Sequence, residues 1–538
     1  MTVTRSAERK RRRSKSLART RIVARETEAR LVPASVERVD LALFRRAARW
    51  HAPILDAILP RLTRAGNKSL LWAAIGLLLN FFGGRFGRRG ALRGAFAIAV
   101  TSFVTNIPAK LVWRRKRPAI DEVPQIRRLA RLPTSTSFPS GHSASAFAFA
   151  TGVALEKPVV GIPLLGVAAA MAYSRVYVGV HYPSDVLGGA IIGAGVAVAT
   201  RRFWPVAPDA PARARPEKVT LDELPEPDGT GLAIVVNPDA GSGFAVPPTD
   251  ELRQCLPGAE LIKTDEDLSV PEALEKAAIA GRAIGVAGGD GTVNAAAQAA
   301  YTAEKPLVVF PGGTLNHFAR DIGVDEIDDA VRAIESGSTV GIDVGRIAGR
   351  PFLNTASFGS YVDLVDARER LERTIGKWPA VVVAMVRVLR KAEPVHIEID
   401  GTRMHVWMVF IGNCRYDPPG FTPSWRARLD DGVLDVRIVD AGEPWARMRL
   451  LWAVLTGTLS RSKIYKCDVV RGPIRVRSMN GPIRLARDGE TFSGPEEFTI
   501  EKSPERLVVF VPPTDENGGA NASSPSSRDA NPERRSSR

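Results

Sequence analysis

Apolar residues are distributed unevenly along this chain of 538 residues. Five apolar segments follow one another at about 69–84, 91–113, 143–155, 158–180 and 185–200. They contain few charges and are rich in glycine and alanine, which permits close packing of helices. Several are shorter than the ~20 residues that a spanning helix needs, so buried helices of a soluble domain are the alternative. Five such segments in succession favour a helical membrane domain.

The chain ahead of these segments is first basic and then amphipathic. Residues 1–38 contain the run Arg9-Lys-Arg-Arg-Arg13, and we expect them to be a disordered arm attracted to an anionic membrane surface. Over residues 39–63, apolar side chains recur among arginines in a pattern typical of a helix lying in the membrane interface. Aromatic residues are not interleaved with the basic run, which argues against a nucleic-acid partner.

The pattern changes after residue 203. Residues 204–230 are rich in proline, alanine and charge, which predicts a linker. Strand-like runs at 232–236, 283–287 and 307–310 then alternate with helical patterns, as in a parallel sheet. Later strand-like runs, separated by turns, lie at 395–399, 404–411, 433–438, 474–477, 498–501 and 507–511. The tail 514–538 has the composition of a disordered segment.

These patterns predict two domains. The first is an all-α transmembrane helical bundle over 39–203, and the second combines an α/β lobe over 231–345 with a mostly antiparallel β lobe over 346–513. The net charge is +16, and much of the excess lies in the first thirty residues. Cys255, Cys414 and Cys467 form neither a disulfide framework nor a CxxC metal site, which fits a reducing compartment for the second half. We expect no secretory signal, because no apolar region directly follows the basic arm.

Ionisable residues are concentrated at the ends of the apolar segments. Lys110 and Arg117-Pro118 close the second segment, and Pro139-Ser-Gly-His142 opens the third. Ser174-Arg175-x5-His181-x3-Asp185 joins the fourth to the fifth. Such groups are costly at membrane depth, which favours a functional site, although arginines can also simply mark loops on the cytoplasmic side. Antiparallel neighbouring helices would bring the three clusters to one face.

The chemistry of these side chains suits phosphoryl transfer. Lys110, Arg117 and Arg175 would stabilise the oxygens of a phosphoryl group. Ser140 and Gly141, at a predicted helix start, would offer neutral donors to the same anion. One imidazole would attack phosphorus and another would protonate the leaving alkoxide.

The three motifs resemble, in order and complete, the signatures of the type-2 phosphatidate phosphatase superfamily over about residues 40–203. The resemblance implies His181 as the nucleophile of a phosphohistidine mechanism, Asp185 as its orienting partner and His142 as the general acid, with no metal. It also implies that phosphate is bound by Lys110, Arg117, Ser140, Gly141 and Arg175. Vanadate-dependent haloperoxidases are similar at these motifs but are generally soluble, so the apolar segments argue against that variant.

A second group of motifs lies in the α/β lobe. Ala287-Gly-Gly-Asp290-Gly-Thr-Val-Asn294 follows a predicted strand and precedes an alanine-rich helix, a place where glycines and helix N–H groups can hold a phosphate. Val235-Val-Asn237-Pro-Asp-Ala-Gly241 and Pro311-Gly-Gly-Thr314 follow two other strands. Loops at the carboxyl ends of parallel strands would converge on a nucleotide.

This half, from about 233 to 512, resembles the diacylglycerol kinase catalytic family, which is similar to sphingosine kinases and more distantly to NAD kinases. The stretch Gly-Thr-Leu-Asn-His-Phe-Ala-Arg at 313–320 is similar to the bacterial lipid-kinase branch. The resemblance implies ATP and Mg²⁺ as cofactors. ATP would be bound by Asn237, Pro238, Asp239, Ala240, Gly241, Thr264, Gly288, Gly289, Asp290, Gly291, Thr292, Val293, Asn294 and Thr314.

The same resemblance implies the catalytic and metal-binding residues of this half. Asp488 and Glu490, in Asp488-Gly-Glu490, would take the proton of a lipid hydroxyl. Asp431 would bind a structural Mg²⁺ ion with the backbone carbonyls of Arg428 and Val433.

One position departs from the family pattern. Where the family usually has Asn-Asp-Phe, this chain has Asn316-His317-Phe318, which removes an acidic residue of the Mg²⁺ network. Asp343 matches a further acidic position of the family, and Asp290 and Asp321 are other candidates to hold the charge.

The sequence therefore predicts a bifunctional, multi-pass enzyme of the cell membrane with a cytoplasmic kinase half. Its partners would be lipids of the phosphatidate and diacylglycerol class. The phosphatase could instead act on a polyprenyl (di)phosphate or a prenyl-linked sugar phosphate, and the kinase on a sphingoid or other lipid alcohol. The kinase lobe could also be a non-catalytic lipid-binding module. A spanning fifth segment would place the phosphatase site outside, whereas the arginines between 114 and 131 favour a cytoplasmic loop.

Overall fold

The computed structural model describes residues 33–50, 52–113, 115–129, 133–206, 208, 210–220, 224–238, 249–313, 316–359, 393–420 and 423–513. The chain divides into two compact units, Met1–Ala207 and Pro208–Arg538. The predictions for residues 1–32 and for the tail 514–538 lie outside the described residues, as do those for Asp239, Ala240, Gly241 and Thr314.

The described part of the first unit is helical. Its helices are α1 (Ala34–Arg49), α2 (Pro53–Ala65), α3 (Leu70–Phe82), α4 (Gly84–Val104), α5 (Gly141–Glu156), α6 (Pro158–Tyr177) and α7 (Pro183–Ala199). Helix α4 continues through a π-helical turn, Thr105–Ala109, to Val112. Two predictions need correction here. Helix α1 begins at Ala34, within the predicted disordered arm, and the single amphipathic helix over 39–63 is two helices because Pro53 starts a new one.

Three helical stretches are long and apolar enough to cross a membrane. They are Gly84–Ala109, Pro158–Tyr177 and Pro183–Arg202, while the apolar stretch Asn67–Phe82 is shorter. Large apolar side chains on these helices point outward, among them Leu77, Phe81, Phe96, Phe103, Ile162 and Ile191. A continuous apolar exterior of this kind fits a lipid environment. By length and composition, three of the five predicted spans are therefore supported.

Small residues bring these helices into close contact. A Cβ atom at Gly193 of α7 would overlap the Ala144 carbonyl of α5, and one at Gly189 would overlap the Ser140 carbonyl. Gly161 of α6 is similarly close to Ala154 of α5. The approach of Gly189 to Ser140 sets the start of α7 against the start of α5, where two of the predicted motifs lie.

A buried cluster closes the opposite end of the first unit. Arg93 of α4 donates from Nε to Glu156 Oε1 over 2.7 Å and from Nη1 to Thr200 Oγ1 over 2.9 Å. Its Nη2 donates to the carbonyls of Trp204 and Pro205 over 2.6 and 3.3 Å. The chain therefore leaves the first unit at the end opposite to the predicted phosphatase motifs.

The second unit contains one large mixed sheet. Its helices are α8 (Thr249–Cys255), α9 (Val270–Ala280), α10 (Asp290–Thr302), α11 (His317–Asp321), α12 (Ile327–Ser336) and α13 (Ala446–Thr456). Its strands are β1 (Arg215–Pro216), β2 (Leu232–Val236), β3 (Glu260–Lys263), β4 (Ala283–Gly288), β5 (Leu307–Pro311), β6 (Thr339–Ile347), β7 (Arg350–Phe352), β8 (Thr355–Gly359), β9 (Val395–Ile399), β10 (Thr402–Asn413), β11 (Tyr416–Asp417), β12 (Trp425–Arg426), β13 (Leu434–Asp440), β14 (Tyr465–Val470), β15 (Ile474–Ser478), β16 (Ile483–Arg487), β17 (Glu490–Gly494) and β18 (Glu497–Phe510).

The sheet changes from parallel to antiparallel along its length. Strands β3, β2, β4 and β5 are parallel neighbours, and β18 pairs in parallel with β5 at one edge of this group. From β18 the order continues through β15, β9, β10, β8, β16 and β17, which pair antiparallel. This agrees with the predicted α/β lobe followed by a mostly antiparallel one. Each part has its own apolar core.

The linker is shorter than its composition predicted. Ala212 already donates its N–H to the carbonyl of Asp321 over 2.8 Å, and β1 pairs antiparallel with β6. Residues 212–216 therefore belong to the second unit, although proline-rich composition is typical of free connections.

Candidate active sites

A polar cavity of about 290 Å³ lies where α4 and α6 end and α5 and α7 begin. Its lining includes Lys110, Arg117, Ser135, Gly141, His142, Arg175 and His181. The structure thus brings the three predicted motifs of the first unit together around one space.

Two cations at the cavity are held by polar groups of the surrounding loops. Arg117 donates from Nη1 to the Val180 carbonyl over 2.7 Å and from Nε to the Ser135 carbonyl over 2.9 Å. Lys110 donates from Nζ to Asn106 Oδ1 over 2.9 Å and lies 3.3 Å from Ser135 Oγ. Burial, together with the charge of Arg117, lowers the pKa of Lys110.

The third cation, Arg175, lacks partners for part of its guanidinium group. The residue is 1% exposed, and its Nε and Nη1 atoms have no hydrogen-bond partner among the residues that the structure describes. Buried donors without an acceptor are costly, and buried charges are normally paired. Because these atoms belong to a residue that lines the cavity, they fit an anion that enters it.

His181 lies between Arg117 and Asp185. Its Nε2 is 3.2 Å from Arg117 Nη1, and its Nδ1 is 3.7 Å from Asp185 Oδ2, beyond hydrogen-bond distance. Burial lowers the pKa of His181 to about 4, and the charges of Arg175 and Arg117 act in the same direction. The ring is therefore neutral at pH 7, as a nucleophilic imidazole must be.

His142 faces the same cavity from the start of α5. Its Nε2 lies 3.1 Å from Asn67 Oδ1. The cations Lys110, Arg117 and Arg175 line the same cavity. A bound phosphate dianion would offset their charge and so favour the protonated ring that a general acid requires.

The predicted phosphate ligand Ser140 is not at the cavity surface. Its N–H donates to the Asp185 carbonyl over 2.9 Å, and its buried hydroxyl accepts from Ser143 Oγ over 3.0 Å. Gly141 is the residue of this pair that lines the cavity.

Sequence reasoning missed the residues that hold Asp185. Arg115 Nη1 donates to Asp185 Oδ1 over 2.8 Å, and its Nη2 donates to Asp40 Oδ2 over 2.7 Å. Ser137 Oγ and the N–H of Tyr182 also donate to this carboxylate. Arg115 lies inside the Lys110-x6-Arg117 motif, but nothing in the sequence indicated that Asp40 of α1 pairs with it.

In the second unit, glycines make a close contact between the ends of β4 and β5. A Cβ atom at Gly312 would lie 2.9 Å from the Gly288 nitrogen, and one at Gly313 would lie 2.6 Å from the Gly289 Cα. By contrast, a Cβ at Gly291 would meet no atom within 4 Å. On one side, the turn that starts α10 packs so closely that only glycine fits, and on the other side, at Gly291, it is open. An open turn with exposed backbone N–H groups fits a binding site for phosphate.

Several predicted nucleotide ligands lie around this turn. Asn237 Nδ2 donates to Thr292 Oγ1 over 3.0 Å, which joins the end of β2 to α10. Asp290 Oδ1 accepts the N–H of His317 over 2.6 Å. Thr264, at the end of β3, is buried and donates its N–H to the Val236 carbonyl over 3.0 Å.

Two predicted ligands, Val293 and Pro238, are placed differently from the rest of the turn. The Val293 side chain packs in the apolar core, so only its backbone could reach a nucleotide. Pro238 forms a turn directly after Asn237.

The two carboxylates predicted as the base differ in environment. Asp488 accepts the N–H groups of Leu353, Asn354 and Thr355 over 2.8 to 3.0 Å. The Glu490 side chain is 68% exposed, and its nearest described cation is Arg487, with Oε2 and Nη2 separated by 3.9 Å. Asp488 therefore organises backbone, whereas Glu490 is available to a substrate.

Asn294 connects these residues to the glycine turn. Its Nδ2 donates to the Asp488 carbonyl over 3.2 Å, and its Oδ1 accepts from Asn354 Nδ2 over 2.9 Å. The predicted nucleotide ligands and the predicted base thus share one hydrogen-bonded group.

The predicted Mg²⁺ loop offers oxygen ligands of the type that Mg²⁺ prefers. Asp431 accepts the N–H groups of Arg415 and Val433, and the Val433 carbonyl accepts the N–H of Cys414. Ligand atoms of Asp343, Cys414 and Asp431 lie within 4.8 Å of one another. A carboxylate beside carbonyl oxygens fits Mg²⁺, although the Cys414 sulfur is too soft to be a ligand. The Arg428 carbonyl belongs to the same loop.

Two cations near this loop were not predicted. Lys502 Nζ lies 3.2 Å from Asp343 Oδ2 and 2.6 Å from Asn413 Oδ1. Buried Arg426 pairs with Asp321 over 2.7 Å and also donates to Asn354 Oδ1 over 3.0 Å. Three carboxylates were considered in place of the family's Asp at position 317. Two of them, Asp343 and Asp321, are therefore already paired with cations.

Comparison with family models divides the chain in the same way as the structure. Residues 90–208 match the PAP2 superfamily, and residues 231–347 match the diacylglycerol kinase catalytic domain. Residues 359–511 match the YegS C-terminal NAD kinase beta sandwich-like domain.

Comparison with known proteins identifies relatives of each half. A protein of Pseudomonas savastanoi pv. phaseolicola named "Probable lipid kinase YegS-like" is 31% identical over 241 residues, which cover 43% of this chain and 76% of that protein. The protein of the same name in Cronobacter sakazakii is 32% identical over 267 residues, covering 47% and 84%. The crystal structure of a transmembrane PAP2 type phosphatidylglycerolphosphate phosphatase from Bacillus subtilis is 25% identical, with a TM-score of 0.27, and covers 32% of this chain and 89% of that one.

Proposed function

The chain joins a PAP2-superfamily domain to a lipid kinase and belongs to the YegS-like lipid kinase family, and from this premise we propose that it is a bifunctional membrane lipid enzyme. The first unit would remove phosphate from lipid phosphates without a metal. The second would transfer phosphate from ATP to a lipid alcohol of the diacylglycerol type.

The unpaired guanidinium atoms of Arg175 carry the proposal for the first unit. They belong to a buried cation in a cavity that also holds two imidazoles and two further cations. An anion with several oxygens is the ligand that satisfies this set, because each cation can bind a different oxygen.

The first reaction follows from the two histidines. His181 Nε2 forms a bond to phosphorus while the bond from phosphorus to the lipid oxygen breaks, and His142 gives its proton to that oxygen. Water then attacks the phosphohistidine, with His142 taking the water's proton and His181 as the leaving group. Asp185 stabilises the positive charge that develops on His181, from 3.7 Å in the free site.

The second reaction uses the glycine turn and Glu490. The start of α10 and Asn237 would bind the phosphates of ATP, and the oxygens of the Asp431 loop would hold Mg²⁺, which supplies charge neutralisation when bound. Glu490 accepts the proton of the lipid hydroxyl as that oxygen bonds to the γ-phosphorus of ATP, while the bond from this phosphorus to the β–γ bridging oxygen breaks and ADP leaves. Asp488 holds the backbone at 353–355 and so positions Asn354 and Asn294.

The two activities would lie on opposite faces of the membrane. Helices α3 to α7 run alternately between the cavity end and the Arg93 end, so the chain leaves the unit opposite to the cavity. Since the kinase needs cytosolic ATP, the phosphatase cavity would open to the outer side.

Two matched substitutions test the bifunctional proposal. His181→Ala should abolish phosphate release from a lipid phosphate, by about 1,000-fold or more, and leave transfer of labelled phosphate from ATP to diacylglycerol unchanged. Glu490→Gln should do the reverse, because each residue lies in a separate unit. Loss of both activities in either variant would contradict two independent sites, and no transfer by the unaltered chain would contradict the kinase function.

A further inference from the structure

Helix α13 exposes a row of large apolar side chains. Trp445, directly before the helix, and Met448, Trp452 and Leu455 within it are each between 62% and 80% exposed. Spacings of three and four residues place them on one side of a helix. We call these four residues the docking face.

The docking face is not needed for the packing of the helix. The other side of α13 carries Ala446, Leu450 and Ala453. They pack with Trp407 of β10 and with Ile464, which directly precedes β14. An apolar row that the described part of the unit leaves exposed indicates a contact with a further surface.

The chemistry of the docking face fits a bilayer. Tryptophan is enriched at the membrane interface, where its ring is apolar and its N–H stays hydrated. The surrounding segment 443–463 contains four basic residues, Arg447, Arg449, Arg461 and Lys463, and a single acidic residue, Glu443. Glu443 pairs with Arg449. A basic segment around an apolar helix face is complementary to an anionic lipid surface.

The docking face is also connected to the catalytic region. Tyr465, which follows α13, accepts the N–H of Gly420 at its hydroxyl over 3.0 Å. Gly420 follows β11, which begins at Tyr416. The Tyr416 hydroxyl is 3.4 Å from the Asn354 carbonyl. Asn354 in turn donates its N–H to Asp488 over 2.8 Å.

We propose that the docking face inserts into the interface of an anionic lipid bilayer and there delivers membrane-embedded lipid to the kinase site. The insertion stands on the helix itself, whereas the delivery rests on the proposed kinase function. The experiments below separate the two.

Insertion is measured directly with a spin label in the full chain. Cys255 and Cys467 are first changed to serine, and a nitroxide is attached at Leu455→Cys. The control carries the nitroxide at Ile279→Cys, an exposed apolar position on α9. In nanodiscs of phosphatidylglycerol and phosphatidylcholine, we expect the label at 455 to be accessible to oxygen and shielded from a water-soluble nickel complex. The label at 279 should show the opposite.

Two results would overturn insertion. Equal access of the nickel complex to both positions would leave the docking face in water. Shielding of position 455 from both oxygen and nickel would place protein there, such as a second copy of the chain.

Delivery is measured with two diacylglycerols. Trp445→Ala/Trp452→Ala should lower kcat/KM for a long-chain diacylglycerol in anionic vesicles by about 10-fold, and change it less than about 2-fold for a short-chain, water-soluble one. Ile279→Ala should change neither. An equal loss on both substrates, or no loss on either, would overturn delivery. Absence of all transfer by the unaltered chain would instead overturn the kinase function, and the spin-label result would still decide insertion.

Discussion

At the scale of single residues, the carboxylate of Asp185 is shared among more partners than a simple histidine–aspartate pair would need. Arg115, Ser137 and the N–H of Tyr182 donate to it, while His181 remains at 3.7 Å. Arg115 is in turn paired with Asp40 of α1. Arg115 therefore partly compensates the negative charge that Asp185 presents to His181. We expect the charge state of His181, the proposed nucleophile, to depend on this arginine.

We predict that Arg115→Gln shifts the acid limb of the pH dependence of phosphatase kcat/KM upward by about one unit. The negative charge of Asp185 raises the pKa of His181, and removing Arg115 leaves that charge less compensated. His181 is then protonated at a higher pH, so the neutral nucleophile is lost earlier as the pH falls. The kcat/KM of the phosphatase reaction, measured from pH 4 to 8, would show the shift.

Arg115→Lys is the matched control for this prediction. It keeps the positive charge between Asp40 and Asp185 and should leave the acid limb near its original position. A fall in rate without a shift of the limb in Arg115→Gln would mean that Arg115 acts only on stability.

The motif residues could be predicted from the sequence because their spacing is local, as for Arg175 and His181. Partners that are distant in the chain could not. Arg115 and Asp40 are separated by 75 positions, and Lys502 lies 159 positions from Asp343. No periodicity links such residues before the helices or strands are packed.

At the scale of elements, the contact between the β4–α10 turn and the residues after β5 determines what the glycine loop can bind. Gly312 and Gly313 press against Gly288 and Gly289, whereas the space beside Gly291 is open. The glycines that make the close packing contact are therefore different from Gly291, beside which we propose that phosphate binds.

We predict that Gly313→Ala and Gly291→Ala have different effects. Gly313→Ala should lower the thermal midpoint of the second unit, because its Cβ would lie 2.6 Å from the Gly289 Cα. Gly291→Ala should leave that midpoint unchanged and raise the KM for ATP by about 10-fold, since a methyl group would occupy the space intended for phosphate.

Calorimetry without nucleotide and kinase assays with varied ATP would distinguish these effects. An unchanged KM for ATP in Gly291→Ala would place the phosphates elsewhere. The prediction for Gly313 would be wrong if its alanine variant unfolded at the original temperature.

Strands of the second unit could be predicted from two different patterns. Leu232–Val236 is buried throughout and is a continuous apolar run, whereas Val395–Ile399 alternates apolar and polar residues. Strand β18 was read as two strands, 498–501 and 507–511. The intervening Ser503-Pro504-Glu505 resembles a turn, but the strand continues through it with a register shift between Lys502 and Arg506.

At the scale of the whole molecule, the number of passes through the first unit decides which reactions share a compartment. Gly66 and Ser69, before α3, line the cavity, and Thr200, after α7, lies at the Arg93 end. Helices α3 to α7 run in alternating directions between these points, so the chain leaves the unit at the end opposite to the cavity. The positive-inside pattern favours the other orientation for residues 114–131. In that stretch, Arg115, Arg117 and Arg127 make buried or site contacts.

We predict that a membrane-impermeant maleimide labels Arg61→Cys, on α2 near the cavity end, when it is added to intact cells that express the chain. Arg202→Cys, at the other end, should react only after permeabilisation if, as proposed, α3 to α7 each cross the membrane between the two positions. Native Cys467 is exposed in the second unit and serves as the inside control. Labelling of both introduced cysteines from the same side would contradict the opposite placement of the two activities.

The anchoring of residues at both ends of the linker has a further consequence. The Pro205 carbonyl accepts hydrogen bonds from Arg89 and Arg93, and the Ala212 N–H donates to the Asp321 carbonyl. The connection between these two anchored residues is therefore the six residues 206–211. Even fully extended, it reaches only about 25 Å. A unit that is tethered to the bilayer by so short a linker has an effective concentration at the membrane surface on the order of millimolar. If the first unit is held in the bilayer, the docking face proposed on α13 therefore needs only a weak intrinsic affinity for lipid.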